Sequence, residues 1–209
     1  MTVTAVQLPG ALVAVPDRTM DLADTSTWPD ASALVAAQHI AVMTAEHGSR
    51  SHVVQHAGRQ PDADILVTDQ PSMALAALAA DCVPIALATP RAVAVVHAGW
   101  RGVLAGAVTA GRAALAQLDA APVHAVVGPA ICGQCYQVPQ QRVDAFREHH
   151  SVAVRDATHL DLTAAVVAQL QGCEVTVVPG CTLERADLCS YRGGDATRRG
   201  GILIARSAA

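Results

Sequence analysis

The chain has 209 residues, 52% of them hydrophobic and 15% charged, so it can bury a core and is too apolar for a disordered protein. Its net charge of −4 and its 2% aromatic content exclude a nucleic-acid-binding protein that depends on a basic surface and on base stacking. No apolar run reaches membrane-spanning length without Gly, Pro or charge, and the N-terminus lacks a signal-peptide pattern. We therefore expect one cytoplasmic domain over residues 1–209, with no membrane or nucleic-acid partner.

The predicted elements begin after a polar, Pro-bearing stretch, 16–32, which we interpret as a surface loop. Short apolar strands then follow one another: 39–44, 52–55, 64–68, 73–80, 83–88 and 92–96. The later elements are helices at 103–118, 140–149 and 161–171 and strands at 123–127, 174–178 and 201–205. Because the early strands have no helices between them, the pattern predicts an α/β protein with a mixed or antiparallel sheet and helices packed outside.

Three candidate metal ligands lie at the ends of apolar strands. His47 follows HIAVMTAE, Cys82 follows MALAALAAD, and His97 ends AVAVV just before Ala98-Gly99. Two imidazoles and one thiolate are a plausible zinc set, and three protein ligands with an open fourth position are typical of catalytic zinc. A hydrogen-bonded structural histidine and a small buried cysteine are the alternative for these residue types.

Five segments together resemble the laccase-domain (YfiH-type) family, whose members are described as polyphenol oxidases, purine nucleoside phosphorylases and peptidoglycan-editing factors. These segments are HAGWRG at 97–102, AADCVP at 79–84, the His47-Gly48 pair, GPAICGQCYQV at 128–138 and CTLERADLCSYRGGDATRRGG at 181–201. The resemblance implies a layered α/β/β/α fold with mixed, largely antiparallel sheets. It also implies one zinc ion per chain, bound by His47, Cys82 and His97.

The chain departs from the family pattern where the family's substrate-facing motifs lie. The N-terminal Thr-Arg-x-Gly-Gly segment is shortened to PDRTMDLAD, the Gln-Val before the motif histidine is Ala45-Glu46, and Ser-Tyr-Arg-Arg is changed at Gly193. We therefore interpret the chain as a divergent member, with its metal ligands intact.

Phosphorolysis of a purine nucleoside needs groups that bind phosphate, for which the arginine fork is well suited. The candidates are Arg101 beside the metal histidine, Arg50 shortly after His47, and Arg192 and Arg199 in the C-terminal motif, each with a solvated surface charge as the alternative. Gly99 and Gly102 are expected to let the backbone turn tightly and bring Arg101 towards the pocket.

Four further residues are assigned roles beside the metal. Trp100 is expected to wall a base-binding pocket, with packing on the sheet as its alternative. Asp81 is expected to orient a ligand imidazole, with a turn-making role as its alternative. For a deaminase reaction, Glu46 or Asp64 is the conceivable proton carrier, since the His-x-Glu signature of cytidine deaminases is missing.

The leading hypothesis is therefore a zinc-dependent purine nucleoside phosphorylase acting on inosine or adenosine with phosphate, with adenosine deamination as a further activity. The second is a Cys-His hydrolase or amidase acting on a cell-wall precursor, with Cys82 as nucleophile and His97 as base. A copper polyphenol oxidase ranks lower, because none of the nine histidines forms a His-x-His pair, and a non-catalytic zinc-binding homologue is the last alternative. The oligomeric state is left open.

The Cys132-x-x-Cys135 pair has no second pair at zinc-binding spacing in the sequence. We interpret it as structural, with redox chemistry or zinc binding as the alternatives.

Overall fold

The computed structural model describes residues 1–207 of the chain. Its strands are β1 (Val3–Leu8), β2 (Ala11–Pro16), β3 (His39–Thr44), β4 (Ser51–Val53), β5 (Gly58–Asp62), β6 (Ile65–Thr68), β7 (Met73–Ala79), β8 (Val83–Ala88), β9 (Val93–Ala98), β10 (His124–Val127), β11 (Glu174–Val177) and β12 (Gly200–Arg206). Its α-helices are α1 (Trp28–Ala33), α2 (Trp100–Leu104), α3 (Ala107–Leu118), α4 (Gln140–His149) and α5 (Leu162–Gln169). Short 3-10 turns lie at Thr25–Thr27 and Ser151–Ala153. Among the helices of this described part, none has the length and apolar character needed to cross a membrane.

The strands form two 6-stranded sheets. The first sheet has the order β1-β2-β12-β7-β3-β5, and the second has the order β11-β10-β8-β9-β6-β4. Both are mixed: β3 runs parallel to β5 and β7, while β12 runs antiparallel to β2 and β7. In the second sheet β10 is parallel to β11, whereas β8 and β9 are antiparallel.

Three apolar layers hold these elements together. One core joins the second sheet to α2–α5, one lies between the two sheets, and a smaller one joins the first sheet to α1. Strand β9 shows how alternation produces this arrangement, since Ala94 and Val96 face the helices while Val93 and Val95 face the other sheet. A strand that is buried on both faces has a continuous apolar sequence, as AVAVV in this part of the chain has. The expected single α/β domain with α/β/β/α layers and mixed sheets is confirmed.

The surface-loop expectation for 16–32 is wrong in part. Residues 28–33 form helix α1, and Met20 and Leu22 are buried in the small core beneath the first sheet. The polar residues of this stretch are exposed, and only a few apolar side chains anchor the stretch to the core. The apolar pattern that would have predicted the helix is therefore weak in the sequence. Trp28 donates from its indole N–H to the carbonyl of Leu22 at 3.1 Å, which ties the helix to the preceding segment.

Two other differences concern element boundaries. The N-terminal hairpin of β1 and β2, turning at Pro9-Gly10, is absent from the predicted elements although its two apolar runs flank a Pro-Gly turn signal. The predicted helix 103–118 is two helices, because Gly106 adopts a left-handed conformation with φ of 75° and begins α3 in a new direction.

Helix α3 approaches the second sheet closely because residue 111 has no side chain. A Cβ built on Gly111 would lie 2.5 Å from Cγ2 of the fully buried Val96. We therefore expect Gly111→Val to lower the free energy of unfolding by about 1–3 kcal/mol, the usual cost of overpacking a core. Chemical denaturation of the purified variant measures this change.

Ala113→Val is the matched control, because position 113 is exposed on the same helix and carries the helix-propensity cost of valine without the clash. Equal destabilisation by the two variants would contradict close packing at residue 111.

Candidate metal centre and substrate cavity

Three separate loops and strands bring His47, Cys82 and His97 together. His47 lies in the loop after β3, Cys82 in the turn between β7 and β8, and His97 within β9, one residue before its end. The antiparallel register of β8 and β9 pairs Pro84 with His97, which sets the turn residue Cys82 beside the imidazole. One donor atom from each of the three lies within 4.8 Å of the others. The two imidazole rings meet edge to face, with centroids 4.8 Å apart and an angle of 88° between planes.

Asp64, which precedes β6, orients two of these ligands. Its buried carboxylate accepts the backbone N–H of His47 at 2.8 Å and of Gly48 at 2.7 Å. The same carboxylate lies 2.9 Å from Nδ1 of His97. Because a carboxylate only accepts, Nδ1 carries the proton and leaves Nε2 of His97 free for a cation. A carboxylate behind a ligand histidine is the usual support of a metal site.

Gly99 forms the floor beneath the three donors. A Cβ at residue 99 would lie 2.9 Å from Sγ of Cys82 and 3.0 Å from Cδ2 of His47. Its φ of −75° is open to any residue, so the glycine is required by close approach and not by a tight turn, contrary to the sequence interpretation. Two imidazoles and a thiol that converge this closely are a donor set that suits a borderline or soft metal ion.

The charges of the thiol and the inner imidazole are strongly coupled. Burial raises the pKa of the Cys82 thiol, but hydrogen bonds to His47 and His97 outweigh it and lower the pKa to about 6. Burial lowers the pKa of His97, but Asp64 and Cys82 outweigh it and raise the pKa to about 9. Both shifts favour a thiolate beside a protonated imidazole over two neutral groups. A cation binding here takes the place of the imidazolium proton.

Asp81 does not orient an imidazole, and that sequence interpretation is wrong. Its Oδ1 accepts from the hydroxyls of Thr182 and Ser190, each at 2.7 Å, and its Oδ2 accepts the backbone N–H of Arg192 at 2.8 Å. The carboxylate thus attaches the C-terminal segment to the turn that carries Cys82. Asp81 has φ of 84°, a conformation uncommon for a residue with a side chain and often found at functional sites.

A cavity of about 550 Å³ opens directly over the donor cluster. The first sheet contributes Met43 and Leu78, the second sheet contributes His97, and the C-terminal segment contributes Tyr191. The cavity therefore lies where the layer between the two sheets meets solvent. Its volume is in the range of small-molecule binding sites.

The structure brings some predicted substrate residues to this cavity and not others. Trp100, Arg192 and Arg199 line it, together with Asp81. Arg101 is exposed, is not among the lining residues, and stacks its guanidinium 4.6 Å from the centre of the Trp100 ring. Its expected place in the pocket is wrong, because its side chain lies over the indole.

Glu46 and Arg50 also lie outside the cavity lining. Their side chains face solvent and pair with each other across 3.5 Å. The loop after β3 turns the backbone of Glu46 towards Asp64, whose carboxylate accepts its N–H at 3.3 Å, while its side chain points elsewhere. The predicted proton carrier and phosphate ligand at these positions are therefore not brought to the donor cluster.

Sequence reasoning missed Arg59 and Tyr136 as lining residues. Tyr136 is buried, and the guanidinium of Arg192 lies 4.8 Å from its ring centre. The signal for Tyr136 was present in the GPAICGQCYQV segment, since it is one of only two tyrosines in the chain. Arg59 had no such signal, because β5 was not predicted.

Comparison with known proteins identifies the relatives of this chain. Residues 13–206 match the family model described as multi-copper polyphenol oxidoreductase laccase. A purine nucleoside phosphorylase of Streptomyces coelicolor is 40% identical over 150 residues, which cover 66% of this chain and 62% of that protein. One of Streptomyces griseus is 38% identical over 176 residues, 77% of this chain and 72% of its own. The aligned region thus leaves more than a third of the Streptomyces coelicolor protein unmatched.

Two further matches differ in kind. A protein named adenosine deaminase, from an unknown prokaryotic organism, is 33% identical over 162 residues, 69% of this chain and 60% of that protein. The crystal structure of a Neisseria meningitidis protein superposes with a TM-score of 0.82 over 100% of both chains at 24% identity. That similarity extends to the fold alone.

Asp64→Asn tests the support of the donor cluster. The amide cannot accept all the N–H groups that the carboxylate accepts, so both the loop carrying His47 and the ring of His97 lose their orientation. We expect zinc affinity to fall by about 10- to 100-fold, the usual effect of removing such an outer partner. Competition with a chromogenic zinc chelator measures the affinity. Asp62→Asn, at an exposed position, is the control and should leave it unchanged; unaltered zinc affinity in Asp64→Asn would contradict this role.

Proposed function

The chain belongs to the multi-copper polyphenol oxidoreductase laccase family, and from this premise we propose that it is a zinc-dependent purine nucleoside phosphorylase. The observation that carries the proposal is the His47–Cys82–His97 cluster beneath a cavity that Arg192 and Arg199 line. The names of the Streptomyces relatives support the same reaction class.

The proposed reaction exchanges one bond of the sugar carbon for another. The glycosidic C1′–N9 bond of the nucleoside breaks, and a phosphate oxygen forms a new bond to C1′. The purine gains the proton that the phosphate hydroxyl loses, so that inosine and phosphate give hypoxanthine and ribose 1-phosphate. No other reactant is required.

His47, Cys82 and His97 would hold the zinc ion, with Asp64 fixing the tautomer of His97. Zinc bound there would supply a Lewis acid at the floor of the cavity. We assign Arg192 and Arg199 to phosphate, because a guanidinium binds phosphate oxygens in pairs and neutralises their charge. Arg59 is a third guanidinium on the same lining.

We assign the purine to the aromatic side of the cavity. Trp100 and Tyr136 line it, and the guanidinium of Arg142 lies 4.1 Å from the centre of the Trp100 ring. The guanidinium groups hold the indole in place, and the aromatic lining formed with Tyr136 gives a flat base an apolar surface to pack against. Adenosine deamination is a further activity of the same pocket in this proposal, supported by the relative of that name.

A second candidate is a thiol hydrolase in which Cys82 attacks and His97 delivers the proton. The low pKa of Cys82 and the raised pKa of His97 favour it, because a thiolate next to an imidazolium is an activated nucleophile. The two candidates differ at His47, which a metal site requires and a Cys-His pair does not.

Copper chemistry is supported less well by the donors. A multicopper oxidase needs many histidines in His-x-His pairs, and the nine histidines of this chain form none. Among residues 1–207, only one cluster of metal-binding side chains includes a histidine.

Activity on inosine and on adenosine, each with and without phosphate, tests the proposal. We expect base release that depends on phosphate and yields ribose 1-phosphate, both followed by chromatography. His47→Ala and Cys82→Ser should lose zinc, and their activity should fall by more than about 100-fold, beyond the usual effect of an outer-shell change. His56→Ala, at an exposed histidine outside the cluster, is the control. Activity retained in His47→Ala but lost in Cys82→Ser would favour the thiol hydrolase.

Asp81→Asn tests whether the C-terminal segment forms the substrate wall. Asparagine tolerates the positive φ of residue 81, but its carboxamide has one acceptor oxygen instead of two and cannot accept from Thr182, Ser190 and the N–H of Arg192 together. An unpaired buried donor costs about 1–3 kcal/mol, so we expect KM for phosphate to rise roughly tenfold while zinc content stays at the wild-type value. Steady-state kinetics with metal analysis measures both.

Asp69→Asn changes an exposed carboxylate and is the control. Loss of zinc in Asp81→Asn, with an unchanged KM for phosphate in the zinc-loaded fraction, would show that Asp81 supports the metal and not the substrate wall.

A further inference from the structure

A second cluster of metal-binding side chains lies outside the site described above. It consists of Cys132 and Cys135, between β10 and α4, and Cys181 and Glu184, in the segment after β11. One donor atom from each lies within 4.8 Å of the others. The sequence showed only the isolated Cys-x-x-Cys pair, and the fold supplies the two missing donors from a segment 46 positions further along the chain.

The backbone holds the two segments in register at this cluster. Ala130 and Cys181 form a parallel β-bridge, and Thr182 donates its N–H to the carbonyl of Ala130 at 3.1 Å. Cys132 donates its N–H to Sγ of Cys181 at 3.3 Å. The chain also turns tightly within the pair, since the N–H of Cys135 reaches the carbonyl of Cys132 at 3.0 Å. The three thiols are therefore brought together by fixed backbone and not by chance side-chain positions.

The thiols of Cys132 and Cys135 influence each other strongly at this distance. Burial raises the pKa of Cys132, but the Cys181 thiol and the backbone N–H groups of Gln134 and Cys135 outweigh it and lower that pKa. Burial and the neighbouring thiols of Cys132 and Cys181 raise the pKa of Cys135 to about 12. Sulfurs this close cannot all ionise unless a cation compensates their charge.

We propose that Cys132, Cys135, Cys181 and Glu184 form a second, structural zinc site. Three thiolates select a soft or borderline metal, and four protein donors match the closed coordination of a structural zinc site, unlike the three-donor set over the cavity. Glu184 is exposed at the edge of a groove of about 750 Å³ that Cys132 and Cys181 also line, so a metal ion can enter from solvent.

This second site joins the two segments that wall the substrate cavity. Tyr136 follows Cys135 and lines the cavity, and Thr182 follows Cys181 and donates its hydroxyl to Asp81. A metal cross-link would thus fix both segments relative to the turn that carries Cys82. The site is proposed independently of the nucleoside reaction, because its evidence is the donor cluster alone.

Elemental analysis of protein purified under reducing conditions, without an affinity metal, tests the proposal. We expect about two zinc ions per chain in the wild type and about one in Cys181→Ser, as in His47→Ala. The double variant should hold none. Cys173→Ser is the matched control, because this half-buried cysteine belongs to neither cluster, and it should keep the wild-type content. If Cys181→Ser retains as much zinc as Cys173→Ser, the proposal is overturned. A Cys132–Cys135 disulfide in place of metal would overturn it as well.

Two further measurements test the site without relying on the substitution of the buried Cys181 alone. Glu184→Gln alters an exposed side chain, so folding is preserved, and we expect this variant to lose its second zinc to a chelator faster than the wild type. Cobalt-loaded His47→Ala should show sulfur-to-cobalt charge-transfer absorption that Cys135→Ser weakens. Absence of that absorption in His47→Ala would overturn the site whether or not the chain has nucleoside activity.

Discussion

The carboxylate of Asp64 is the interaction on which the candidate site depends. It is 1% exposed, and it accepts three successive backbone N–H groups of the loop carrying His47 as well as Nδ1 of His97. The backbone carbonyl of the same residue accepts the N–H of His97 at 2.8 Å. A buried charge is costly unless it is fully paired, and here each partner that pairs it belongs to the site. The cost of burying Asp64 is thus offset by the groups it orders, including the loop that holds His47 with a positive φ of 66°.

The two sheets place this network at the edge of the molecule. Small side chains between them, such as Ala77 and Ala86, let the sheets pack face to face, and β3 and β9 present Met43 and His97 to the cavity. Rigid strands on both sides leave little freedom to the donors that extend from them. Such order favours metal binding, because little conformational entropy is then lost when an ion binds.

The C-terminal segment completes the cavity through a second buried carboxylate. Asp81 binds it by two hydroxyls and one backbone N–H, and the adjacent residue Cys82 belongs to the donor cluster. The turn between β7 and β8 therefore connects the donor cluster to this wall of the cavity, and the thiol cluster of Cys132, Cys135 and Cys181 connects the wall to the loop before α4. Changes in one region are expected to reach the others through fixed hydrogen bonds and not through the flexible surface.

The sequence by itself determined the class of fold, most strands of the two sheets and the three candidate metal donors, because apolar periodicity and residue type are local properties that survive without coordinates. It missed β1, β2 and β5. Only the tertiary structure decided which carboxylate serves the histidine: Asp64 and Asp81 each lie within two residues of an apolar strand, and only the pairing of β6 with β9 brings Asp64 to His97. It likewise turned Glu46, Arg50 and Arg101 away from the cavity and brought Cys181 to the Cys132–Cys135 pair. These outcomes depend on contacts between residues far apart in the chain. The spacing of residues along the sequence does not predict such contacts.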